Sequence, residues 1–379
     1  MKILLFSPYF YPYISGVTTY PQKILSYLSK ENDIEVLTFK YDKKLKNEEY
    51  IDGYKIIRMN YFFKVSKGFI SPQSLYYFFI KINNSDIIIL NQPNFEGLFL
   101  AIIAKIFRKK IISIFHCQVF LDGNFLIKTI NFFLNTSMKI QLNLSDKIVV
   151  YTKDYVNSLP YFRKLENKTL NILPPIEKPK LNENFFNKLL KLKKNNIWIG
   201  YAGRISSEKG LEYLLQSIKR LKYKKNIWLV FAGPFGSDVV GENIYYKKII
   251  VILEKFKINY LFLGNLTFEQ LSSFYKSVDL LVLPSINQTE AFGMVQVEAM
   301  IAGTPVIASN LPGVRIPIKL TKMGIITEPK DDKQIAYAIE EILMNKSKFT
   351  NPKLVEDVNK IFSINKVYKF FDQLITSLY

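Results

Sequence analysis

The feature that most limits the fold is a strand–helix alternation that runs along the chain twice. Short runs, apolar or apolar at their centres, at Ile3 to Phe6, Ile34 to Phe39, Lys55 to Arg58, Asp86 to Leu90, Ile111 to Phe115 and Lys147 to Tyr151 read as strands. Between them, segments near 17–29, 71–82, 96–107 and 124–142 carry helical periodicity. A sheet with one wet face would alternate polar and apolar residues. Continuous apolar runs need cover on both faces, so the pattern predicts parallel sheets flanked by helices. From Pro160 to Asn196 the alternation lapses into Leu173-Pro-Pro-Ile, Glu177-Lys-Pro-Lys and a Lys/Asn-rich stretch, the composition of a domain boundary. It resumes with strands at Ile197 to Ala202, Ile227 to Phe231, Tyr260 to Leu263, Leu280 to Leu283 and Pro305 to Ala308. Helices are expected near 209–221, 241–256, 267–277, 293–302 and 331–344. The expectation is an α/β chain of two doubly wound, Rossmann-like domains facing a cleft, 1–172 and 173–362. An amphipathic C-terminal helix over about 363–379 is expected to pack back on the first.

Bulk properties narrow the class. A chain of 379 residues exceeds one ordinary core, and 49% hydrophobic residues exclude a disordered protein. No window holds about 18 uninterrupted apolar residues, so no membrane-spanning helix is expected. The basic-then-apolar start, Met1-Lys-Ile-Leu-Leu-Phe, is cut short by Pro8 and reads as a first strand. A single cysteine, Cys117, excludes an intrachain disulfide and a Cys-rich metal site, and points to an intracellular, cytoplasmic chain. The net charge of +20 fits an anionic substrate, an anionic lipid surface or a nucleic acid. It fits equally a compositional surplus of lysine spread along the chain. No nucleic-acid recognition motif accompanies it, and the basic clusters at 108–110, 188–194 and 219–225 are dispersed.

The richest stretch runs from Pro284 to Ala308. It leaves a strand, passes Glu290 in a polar loop, enters a helix carrying Glu298, and stops at Gly303 and Pro305. Phe292 and Gly293 beside Glu290 allow close backbone approach at a helix N-terminus that favours anions. In the same half, Gly203-Arg-x4-Lys-Gly places Arg204 and Lys209 in another strand-to-helix loop at the same sheet edge. Arg offers a bidentate fork and Lys a point charge, a fitting clamp for a diphosphate. A basic loop and two carboxylates converging on one crevice suit a sugar nucleotide, whose phosphates seek cations and whose hydroxyls donate to carboxylates.

Taken together, Gly203-Arg-x4-Lys-Gly, Glu290-x7-Glu298 with Phe292-Gly293 between, and Glu298-Ala-Met-x-Ala-Gly-Thr-Pro-Val resemble the retaining family-4 glycosyltransferases of the GT-B fold (glycosyl transferases group 1). In the first half the resemblance rests on the opening strand, Gly16, and His116 at the end of a strand. It implies transfer of a sugar from a nucleoside-diphosphate sugar to a glycan or lipid-linked acceptor, with the anomeric configuration kept. By the resemblance, Arg204 and Lys209 hold the diphosphate, Glu298 accepts from the ribose hydroxyls, and Glu290 binds hydroxyls of the donor sugar. The backbone of Gly203, Phe292, Gly293 and Met294 borders sugar and phosphate, and Asn265 borders the base. Gly16 lets its loop approach phosphate and acceptor, and His116 lies near the reacting sugar. His116, Arg204, Lys209 and Glu290 are the expected catalytic group. There is no Asp-x-Asp motif, so no metal or other cofactor is expected. A nucleotide-sugar epimerase of the same fold and a basic nucleic-acid binder are the alternatives. Finally, 61–80 interleaves aromatic residues with lysines, which reads either as a surface for an anionic membrane or as a core helix with a loop.

Overall fold

The central strands are built from Ile, Val, Leu and Phe runs that vanish from solvent on both faces. Every residue of Ile87–Gln92 is buried, and so is Ile3–Phe6. The computed structural model describes residues 1–13, 15–65, 68–120, 125–177, 180–222, 226–236, 239 and 242–378. The chain forms two compact units, Met1–Pro175 with Ile364–Tyr379, and Ile176–Ser363.

Unit 1 runs β1 (Lys2–Phe6), α1 (Gly16–Leu28), β2 (Asp33–Phe39), β3 (Glu48–Ile51), β4 (Tyr54–Met59), β5 (Phe63–Val65), β6 (Gly68–Ile70), α2 (Gln73–Asn83), β7 (Ile87–Gln92) and α3 (Gly97–Ile106). It continues through β8 (Lys110–Phe115), α4 (Phe125–Leu144), β9 (Lys147–Val150), α5 (Lys153–Asn157), a 3-10 helix over Pro160–Lys168 and β10 (Thr169–Asn171). The main sheet has the order β10-β9-β8-β7-β1-β2-β4-β3. All its pairs are parallel except the β3–β4 hairpin, whose turn places Asp52 and Gly53 at positive φ. That hairpin and the separate β5–β6 hairpin were not foreseen, because their strands are short and polar or interrupted. The C-terminal helix, Ile364–Thr376, buries Val367, Phe371, Leu374 and Ile375. Its Tyr368 stacks on Tyr27 of α1 at 4.0 Å, and Tyr27 donates to Asp372 at 2.7 Å.

Unit 2 runs α6 (Glu183–Lys193), β11 (Ile197–Ala202), a 3-10 turn over Ser207–Lys209, α7 (Leu211–Arg220), β12 (Ile227–Ala232), α8 (Asn243–Lys255), β13 (Asn259–Gly264) and α9 (Phe268–Ser277). Then follow β14 (Leu280–Leu283), α10 (Met294–Ile301), β15 (Val306–Ser309), α11 (Ile316–Thr321), β16 (Gly324–Thr327), α12 (Asp332–Met344), α13 (Lys346–Phe349) and α14 (Pro352–Ile361). Its sheet is parallel throughout, in the order β13-β12-β11-β14-β15-β16. Helix α6 lies inside the stretch whose Pro, Lys and Asn content suggested only a boundary. Asn182 caps it by accepting from Phe185 N, Leu189 is buried, and Lys193 binds Asp279.

Candidate active site

In each sheet the strand order reverses once, and at that point the loops leaving neighbouring carboxyl ends diverge and open a crevice. In unit 2 the reversal lies between β11 and β14. The loop after β11 carries Gly203, Arg204 and Lys209, and the loop after β14 carries Glu290. Both loops are fixed by backbone bonds, Ile286 N donating to Glu208 O at 3.0 Å and Glu290 N to Asn287 O at 3.3 Å. Across them Lys209 Nζ donates to Glu290 Oε2, with Ser285 Oγ 3.5 Å from the same oxygen. The two side chains retain 17% and 16% exposure, so the pair is reachable yet largely desolvated. Arg204 lies nearer solvent at 43% and binds Glu208 at 2.9 Å. Burial pushes the Glu208 carboxyl up, but the Ser206 hydroxyl and the Arg204 charge outweigh it and hold the group below its ordinary pKa. Glu208 stays an anion and orients the guanidinium.

Gly293 stands at the N-cap of α10 with φ of +74°, and a Cβ there would fall 2.4 Å from Leu283 Cδ2. Only glycine lets the chain turn from the Glu290 loop into the helix this tightly. Phe292 is buried against Phe362 at 6.1 Å, while Met294 is half-buried. Helix α10 then presents Glu298, whose Oε2 accepts from the Tyr275 hydroxyl at 2.7 Å. Burial, reinforced by the Glu298 charge, pushes the Tyr275 phenol well above its ordinary pKa, so it is a donor at any working pH. The neighbouring loops meet closely: Gly203 N donates to Ala232 O, and a Cβ on Gly233 would lie 2.4 Å from Gly203 O. At the end of β13, Gly264 has no neighbour within 4 Å of a Cβ position, and Asn265 is exposed. The residues singled out in this half thus gather along one sheet edge. Glu208, Ser285 and Tyr275, which hold them, were not singled out. Of these, only Glu208 had a legible signal, its four-residue spacing from Arg204.

In unit 1 the order reverses between β1 and β7. Gly16, exposed, opens α1 behind a Ser15–Thr18 capping box. His116 follows β8 and is buried. Asn91 Nδ2 donates to Ser7 Oγ at 2.9 Å and to Val17 O at 3.0 Å, which turns Asn91 Oδ1 toward His116 Nε2 at 2.6 Å. The ring proton therefore sits on Nε2, and Nδ1 accepts from the Tyr151 hydroxyl. Burial lowers the His116 pKa to about 3, so the ring is neutral. Both nitrogens are engaged with protein groups. Sequence reasoning gave His116 a place but not its two partners.

Residues 182–358 match the sequence model of glycosyl transferases group 1. The chain carries a glycosyl transferases group 1 domain. That domain lies within unit 2 and contains the whole Arg204–Glu298 constellation. An uncharacterized glycosyltransferase of Methanocaldococcus jannaschii is 34% identical over 143 residues, 38% of this chain and 35% of its own length. A second uncharacterized glycosyltransferase of that organism is 25% identical over 388 residues, 96% of this chain and 98% of its own. Anabaena HepE in complex with UDP-glucose superposes with a TM-score of 0.78 at 18% identity, covering 100% of both chains. The fold is GT-B: a group 1 domain and a second doubly wound α/β unit.

Proposed function

We propose that the chain is a glycosyltransferase that moves a sugar from a nucleoside-diphosphate sugar to a glycan or lipid-linked acceptor, with retention of anomeric configuration and without a metal ion. The observation that carries the reading is the Lys209–Glu290 pair at the β11/β14 reversal, with Arg204 beside it and Glu298 on the next helix. HepE, solved with UDP-glucose, supports this donor class. Retention and acceptor class rest on the resemblance of the Arg204-to-Val306 motifs.

The departing group in such a transfer is a nucleoside diphosphate, so negative charge grows on its phosphates as the glycosidic bond breaks. Arg204 and Lys209 would meet that charge in a partly desolvated crevice, where a fixed cation acts more strongly than in water. Glu290, released from Lys209 as the phosphates take the cation, would accept from hydroxyls of the donor sugar. Glu298 keeps one oxygen on Tyr275 and would offer the other to the ribose. Backbone N–H groups at Gly293 and Met294 would add donors at the head of α10. Asn265 would border the base, and Gly16 the phosphates. For His116 the geometry supports positioning rather than direct proton transfer, because Asn91 and Tyr151 already hold both ring nitrogens. Peripheral contact with an anionic membrane on the cytoplasmic side belongs to the same reading.

A panel of sugar nucleotides, read by thermal stabilisation and slow donor hydrolysis, tests this. One base and sugar should raise the melting temperature, and the product's anomeric proton should match the donor's in NMR with EDTA present. No stabilisation by any nucleoside diphosphate would overturn the donor site. An inverted product or a chelator-sensitive rate would overturn the corresponding part.

A further inference from the structure

Most of the exposed large apolar side chains among the described residues fall between Phe62 and Ile140. They follow the period of three consecutive helices. In α2 the buried line is Ser74, Phe78 and Ile82, and the opposite face shows Leu75, Tyr76, Phe79 and Ile80. In α3, Leu100, Ala101 and Ala104 point inward while Phe99, Ile102 and Ile106 face out, Ile106 at 71% exposure. In α4, Met138 and Leu142 are buried, whereas Phe125, Phe132, Phe133 and Ile140 are exposed, the first at 85%. Helix α3 packs against both α2 and α4, so the three outward faces form one continuous surface. The β5–β6 hairpin adds Phe62 and Phe63, and is tied to this layer where Glu96 accepts from Phe69 N at 2.6 Å. A helix of a water-soluble layer normally turns polar residues outward; these are apolar on both sides. Helix α1 and the C-terminal helix, also in unit 1, show no exposed large apolar residue among those described.

The charge within these three helices has one sign. Helices α2, α3 and α4 contain no Asp or Glu, but carry Lys81, Lys105, Lys128 and Lys139, and Arg108-Lys-Lys110 follows α3. Lys81 and Lys105 bind Glu35 and Asp146 at the layer's edge, while Lys128 and Lys139 are exposed on α4, Lys139 Nζ lying 5.0 Å over the Tyr161 ring. Pairing this face with a second copy of itself would bring lysines together without an acid to meet them. An anionic bilayer offers both components, headgroup phosphates for the lysines and an acyl boundary for the rings. Among the described residues no helix is long and apolar enough to cross a membrane, so the contact lies in the interface.

We propose that the α2–α3–α4 face of unit 1 is a docking surface for an anionic lipid bilayer. It locates the membrane contact named above, and it stands or falls separately from sugar transfer.

The test is sedimentation of the full chain with phosphatidylcholine vesicles, with and without phosphatidylglycerol, across a salt series. Binding should require the anionic lipid and weaken with salt. Phe79→Ser/Phe132→Ser/Phe133→Ser should lower the partition coefficient at least about tenfold by removing the inserted rings. Lys128→Glu/Lys139→Glu should lower it at least about twenty-fivefold and flatten the salt dependence, since each lysine near such a surface is worth roughly fivefold. All five positions are exposed, so the melting temperature should hold, and nucleotide-sugar stabilisation measured on the same samples reports the donor site independently. Absence of binding at low salt, or binding unchanged in both variants, would overturn the proposal. So would a wild-type dimer that the Phe→Ser variant dissociates while vesicles are ignored.

Discussion

The two points of strand-order reversal make opposite use of their polar groups. At β11/β14 the groups are charged and partly open: Lys209 on Glu290, Arg204 on Glu208, Glu298 with one oxygen on Tyr275. At β1/β7 they are neutral and buried, with Ser7, Asn91, His116 and Tyr151 bonded to one another in a chain. An ion pair at a crevice can exchange its partner for a ligand of like charge at modest cost. A buried neutral network cannot, because every broken bond leaves a desolvated group unpaired. The first edge is built to receive something, and the second to hold four strand ends in place.

This contrast can be broken by substitution. Lys209→Ala should lower turnover by about a thousandfold, near the upper range for loss of one charge-stabilising group, with the melting temperature within a few degrees of wild type. Kinetics beside a thermal melt check it, and full activity would dissolve the distinction. His116→Ala should do the reverse, costing about 3 kcal/mol in denaturant unfolding by orphaning Asn91 and Tyr151, while nucleotide binding by unit 2 persists.

The histidine also gives a pH signature. Its folded pKa of about 3 lies below the ordinary 6.5, so the unfolded chain binds the proton more readily. Its contribution is complete above pH 6.5 and falls by about 1.4 kcal/mol per pH unit between 6.5 and 3. The difference in unfolding free energy between wild type and His116→Gln should therefore shrink as pH is lowered through that window. A constant difference would mean that the ring is not the titrating group.

Smaller effects sharpen the picture on the open side. Gly293→Ala forces a side chain into positive φ against Leu283, and should cost about 1–3 kcal/mol of stability in unit 2 and weaken nucleotide-sugar binding with it. Tyr275→Phe removes one hydrogen bond to Glu298 and should weaken binding by about 1 kcal/mol, read by calorimetry, with no loss of fold.

How much of this was legible follows from where the information sits. Apolar runs such as Ile111 to Phe115 are continuous in sequence, and the strands appear where that continuity places them, β8 at Lys110–Phe115. Asp331 was legible as a helix start, and its side chain accepts from Lys333 N and Gln334 N. Arg204, Lys209 and Glu290 were legible as a cluster because their spacing is local to two loops at one sheet edge. The helix α6 was not, because its Lys and Asn residues gave the segment a linker's composition, and only Leu189 of it is buried. Tyr275 was not, because its tie to Glu298 joins two helices 23 positions apart. Nor was the reach of the apolar surface: 61–80 drew notice, but its continuation on α3 and α4 depends on which side of each helix the sheet covers.

The path of the chain through unit 1 carries a consequence for synthesis. The segment that seals α1, with Phe371 against Tyr20 and Tyr368 on Tyr27, follows residue 363, after all of unit 2. On the ribosome, unit 2 emerges as one uninterrupted piece and can complete its sheet at once. Unit 1 must wait for the last helix, its α1 apolar side uncovered throughout translation of the other half. Expression of residues 1–175 alone should therefore give material that a chaperone retains, whereas residues 176–363 should fold without help.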